Sequence, residues 1–143
     1  MRTVKFLTIF LILWAPALAS AQQTTIKHVP PKPTSAASGQ EMYIEYCAAC
    51  HGRSGKGDGP AVPALKTTPT NLTTLAAQNA GQFPTDRVME SIKAGPNVPA
   101  HGSQEMPIWG HIFSRMGSSK NPDAEVQLRV SNLVEYIKTM QVK

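Results

Sequence analysis

The chain has 143 residues, the length of one ordinary domain, and its net charge of +5 falls on bases that do not gather into a run. That excludes a nucleic-acid-binding stripe and fits solubility or mild steering toward an acidic partner. Only 6% of residues are aromatic, so side chains alone promise a marginal core, and a large buried group would change that balance.

In chain order, residues 1–21 have the build of a secretory signal. Arg2 and Lys5 form a basic start, Phe6 to Ala15 is an apolar run too short for a comfortable span, and Ala19-Ser20-Ala21 is a small-x-small cleavage site. A mature chain beginning at Gln22 is expected, exported to the periplasm and not integral to the membrane after cleavage. Removing two of the 14 bases leaves 12 against 9 acids, a formal +3. Residues 22–37, with Pro30, Pro31 and Pro33 among Thr, Ser and Ala, predict a flexible lead-in that packs poorly. The domain proper is expected over 38–143.

Ser38-Gly39-Gln40-Glu41 matches a capping box in which Glu41 reaches back, and the spacing predicts a helix from about Gly39 to Cys50, ended by Gly52. Residues 52–82 are punctuated by Gly and Pro, and a loop of that length in a compact domain is expected to wrap something. One or two helical turns fit between Asn71 and Gln78. Phe83-Pro84-Thr85-Asp86 opens a second helix with Val88, Met89 and Ile92 on one face, stopped by Gly95-Pro96. Residues 96–120 predict a second long loop. Asn121-Pro122-Asp123 caps a last helix whose stripe is Val126, Val130, Leu133, Ile137 and Met140. The expected class is all-α: three main helices plus long loops.

The chemistry lies in Cys47-Ala48-Ala49-Cys50-His51, a C-x-x-C-H sequence and the attachment signature of c-type haem. Two thiols one helical turn apart can add across the two porphyrin vinyls, and the adjacent imidazole then falls under the iron. A disulfide, a zinc half-site and a thioredoxin-like pair are the competing readings. Zinc would need further ligands, and the redox pair a βαβ setting. For the sixth ligand the candidates are Met106, stiffened by Pro107, the weaker Met116 beside Gly117, and His101 or His111. Met42, Met89 and Met140 suit core packing, and His28 lies in the lead-in.

These residues make the chain resemble a class I monohaem cytochrome c, of the bacterial kind with a Met-Pro-x-Trp-Gly distal loop, over about residues 38–141. Gly55-Lys56-Gly57-Asp58-Gly59-Pro60 and Leu133-Val134-Glu135-Tyr136-Ile137 carry the likeness beyond the motif. The resemblance implies the class I fold wrapped around one covalent haem, with iron held by His51 and Met106. It implies that the Pro60 carbonyl accepts the other ring N–H of His51. It also implies that Gly39 and Tyr43 cross Leu133 and Tyr136, while Trp109 is expected either at the haem edge or as an ordinary core tryptophan. The implied role is a single-electron carrier in a respiratory or dehydrogenase-linked chain, meeting redox partner proteins as a monomer or in a complex. A dedicated haem subunit of a dehydrogenase or oxidase is the alternative, and a haem sensor or peroxidase with a labile Met106 is a remoter one.

Overall fold

The computed structural model describes residues 31–94, 106–117 and 120–142. The leader, His28 and His101 lie outside them. Among the described residues the chain is helical with no strand, as the capping and stripe patterns predict.

The motif helix spans 39–51. Ser38 caps it, its side chain accepting from the Glu41 N–H at 3.1 Å. The reciprocal half of the box differs from expectation. The Ser38 N–H is already given to the Ser35 carbonyl, so the Glu41 carboxylate accepts instead from the Ser35 N–H, at 3.2 Å. Within the helix, Gly39–Met42 and Ala48–His51 are α-helical, and the stretch Tyr43–Cys47 between them widens into a π-helix. Such bulges concentrate at functional sites because the extra residue re-aims the side chains beyond it. Here those side chains are Cys47, Cys50 and His51.

The end of this helix is fully paired. Its last four carbonyls, at Ala48, Ala49, Cys50 and His51, accept from the N–H groups of Gly52, Ala61, Gly59 and Gly57. The Gly-rich loop therefore serves as the helix's C-terminal cap. Gly52 turns the chain at φ 77°, and a Cβ on Gly59 would strike the Ala49 carbonyl. Short 3₁₀ turns follow at Val62–Ala64, Leu72–Thr74 and Ala77–Asn79, the second capped by the Asn71 side chain, which accepts from the Thr73 N–H at 2.9 Å.

The middle helix is Thr85–Ala94, with Val88, Ser91 and Ile92 buried. The long helix is Pro122–Thr139, capped by Asn121 accepting from the Ala124 N–H at 3.2 Å. It buries Val130, Leu133, Val134 and Ile137, while Val126 and Met140 pack at the margin. The motif and long helices cross at Gly39, where a Cβ would meet the Asn132 carbonyl and, at 2.9 Å, the Tyr136 Cβ. Tyr43 and Tyr136 lie against each other there, 5.4 Å between ring centroids.

Two further expectations fail. The first is the second long loop, since Trp109–Met116 forms a helix within it. Trp109, Ile112, Phe113 and Met116 fall at i, i+3, i+4 and i+7, a helical stripe whose outer members straddle His111 and Ser114. Gly110 looks like a breaker, but its role is close approach: a Cβ there would stand 2.7 Å from the Lys93 carbonyl. The second concerns the end of the lead-in, residues 32–36, expected to pack poorly. Tyr46 donates to the Lys32 carbonyl at 2.6 Å, Arg129 Nη1 to the Thr34 carbonyl at 3.1 Å, and Asn132 Nδ2 to the Ala36 carbonyl at 2.9 Å. Residues 32–36 have strong acceptors, and the motif and long helices present donors to them. Packing thus reaches back at least to Lys32.

Candidate functional site

Between the motif helix, the loop behind it, the middle helix and the start of the short helix lies a cavity of about 540 Å³. Cys47, Cys50, His51, Met106 and Trp109 all line it. Of Cys47, Cys50, His51, Pro60, Met106 and Trp109, the fold therefore brings together all but Pro60, although Met106 stands 55 positions beyond His51.

The two cysteines are free thiols, not a disulfide, and among the described residues no cluster of three His, Cys, Asp or Glu side chains could hold a metal ion. Cys47 is buried and Cys50 more open. Burial, and after it the charge of Cys50, pushes the Cys47 thiol up to about 12. It is therefore neutral at ordinary pH, and the same burial suits a thioether, which never ionises.

His51 Nδ1 lies 3.1 Å from the Thr70 carbonyl. A carbonyl only accepts, so in the neutral ring Nδ1 carries the proton and Nε2 is left with a lone pair of the kind a metal takes. This corrects the expectation for Pro60. The N–H groups on either side of it, from Gly59 and Ala61, are bonded to the Cys50 and Ala49 carbonyls. That pairing holds Pro60 in an open groove behind the motif helix, with Ile44 and Ala48, away from the cavity. The acceptor comes instead from Pro69-Thr70-Asn71, and the Asn71 cap of the following turn is the signal that could have drawn attention to this segment.

Of the methionines among the described residues, Met106 alone lines the cavity. Met42 is fully buried in the core, and Met89, Met116 and Met140 pack against it. His111 is exposed on the short helix and does not line the cavity. Trp109 is buried, tilted against Tyr46 at 5.1 Å and Phe113 at 5.6 Å. Tyr46 and Arg87 also line the cavity, and neither was singled out by sequence reasoning.

These residues fit a haem. Volume is within the roughly 300–1,000 Å³ of cofactor pockets. Apolar walls come from Leu65, Leu72, Leu75, Val88, Ile92 and Ile137. Two thiols, an oriented imidazole and a thioether are the groups that attachment and ligation of a haem would call for. Such a site on an all-α frame defines a c-type cytochrome domain. The family described as "Cytochrome C oxidase, cbb3-type, subunit III" matches residues 34–116, more than half of the chain, and the chain belongs to that family. It carries covalently attached c-type haem with iron, and its domain type is that of a haem-based electron carrier. No curated protein and no solved structure matches the chain significantly. Among the described residues, no helix is long and apolar enough to cross a membrane.

Proposed function

We propose that the chain is a periplasmic single-electron carrier in which Cys47 and Cys50 hold the haem and His51 and Met106 are its axial ligands. The observation that carries this is the convergence of all four side chains on one cavity whose only methionine, among the described residues, is Met106. The haem supplies a one-electron iron couple. The Thr70 carbonyl orients His51 and makes it a better donor. Met106 supplies a thioether, which favours ferrous iron over what a second imidazole would give. Burial disfavours the extra charge of ferric iron in the same direction. With His51 and Met106 both holding the iron, no place would be left for a small molecule, which favours electron transfer over small-molecule chemistry. The leader at 1–21, cleaved before Gln22, would deliver the chain to the periplasm, and Met106-Pro107-Ile108-Trp109-Gly110 would make it a member of the Met-Pro-x-Trp-Gly branch.

The family's printed description favours a second reading, a fixed subunit of an oxidase. The purified protein separates the two by size-exclusion chromatography and by capture from its native periplasm and membranes. A monomer that exchanges electrons with several soluble partners supports the carrier. Stoichiometric recovery with oxidase subunits supports the second reading. Rapid carbon monoxide binding by the reduced wild-type protein would overturn both, since it requires an open or labile sixth place.

A further inference from the structure

We infer that Arg87 binds a haem propionate and, by neutralising its charge, raises the reduction potential above the value a bare propionate would leave. The inference rests on the haem occupying the cavity described above.

Among the described residues lining that cavity, Arg87 is the only one with a permanent charge, and no Asp or Glu joins it. The neutral polar side chains there are those of Thr67, Thr68, Gln78 and Ser91 among others. Haem brings two carboxylates into this space, and burial without a cation or donor is costly for each. Arg87 sits in the first turn of the middle helix, one turn before Ser91, so both project from the same face. Among the described residues the ion pairs are Lys32 with Glu45, Arg129 with Glu125 and Lys138 with Glu135, so Arg87 is not committed to an acid among them.

The attachment chemistry agrees. Thioethers at Cys47 and Cys50 tether the vinyl half of the porphyrin to the motif helix. The propionates occupy the other half, and Arg87 enters from a different helix. A planar guanidinium is the side chain best matched to a carboxylate. An unpaired propionate stabilises ferric iron by its charge, and a paired one does so less.

The test is spectroelectrochemical titration of the holoprotein. Arg87→Gln should move the ferrous-to-ferric ratio at fixed electrode potential about tenfold toward ferric at low salt, equivalent to about 59 mV for one electron. Arg87→Lys should recover part of the shift, and Arg115→Gln, on the exposed side of the short helix, should move it little. An unchanged potential in Arg87→Gln, or an equal fall in Arg115→Gln, overturns the inference. Should Arg87→Gln yield no holoprotein, resonance Raman propionate modes decide: a shift between wild type and Arg87→Lys supports the pairing, and identical modes overturn it. If the wild-type protein holds no redox-active covalent haem, it is the underlying site reading that has failed.

Discussion

Tyr43 donates its phenolic hydrogen to the carbonyl of Gly52 across 2.7 Å, tying the middle of the motif helix to the turn that follows His51. The phenol is wholly buried, and that burial, ahead of the charges of Cys47, Tyr136 and Asp58, holds it well above its ordinary 10.0. The unfolded chain therefore loses this proton first as pH rises. The stability linked to it is complete below about pH 10 and declines above. Tyr43→Phe should cost about 1 kcal/mol at neutral pH and make the alkaline decline shallower. Thermal melts of holoprotein between pH 7 and 11 check both signs.

Gly39 gives a prediction in which two principles oppose each other. Helix propensity favours Ala over Gly. The crossing forbids it, because the added Cβ would collide with the Asn132 carbonyl, and backbone cannot swing aside. Gly39→Ala should destabilise by about 2 kcal/mol in chemical denaturation. A gain in stability would mean the two helices do not cross there.

Arg129 is buried to 5% exposure, pairs with Glu125 at 2.8 Å and donates to Thr34. Its guanidinium also lies 5.9 Å from the Phe113 ring centroid. Arg129→Met should cost about 2 kcal/mol, less than a fully enclosed pair because Glu125 keeps some solvent. Amide exchange should quicken over residues 34–38 while the haem spectrum stays the same.

The sequence showed the parts of this fold that depend on local chemistry. The Ser38 and Asn121 caps, the 4-3-4-3 stripe of the long helix and the stop at Gly52 each act within a few residues, and each is where it was expected. What was hidden depends on distant partners. Arg129 reads as one more polar position on a helix until Thr34 and Phe113 arrive to enclose it. Gly110 reads as a loop residue until Lys93 is packed against it. Thr70 serves His51 through its carbonyl, a group every residue has, so its side chain carries no signal.

The cavity sets the expectation for haem-free protein. Without the haem, Leu65, Leu72, Leu75, Val88, Ile92 and Ile137 lose the apolar group that would fill the space between them. A domain is only marginally stable, so losing that packing weighs heavily. Protein made without haem should keep helical circular dichroism yet lack a cooperative thermal transition. A sharp melt would show that the polypeptide core suffices.

The assignment of Met106 is tested most directly by the near-infrared charge-transfer band that a thioether bound to ferric iron produces. The wild-type protein should show the band with a low-spin visible spectrum. Met106→Ala should lose it, fall in potential and, when reduced, bind carbon monoxide quickly, while Met116→Ala should keep it. A wild-type protein without the band, or a Met106→Ala protein that retains both the band and the low-spin spectrum, would contradict the assignment and require a different sixth ligand.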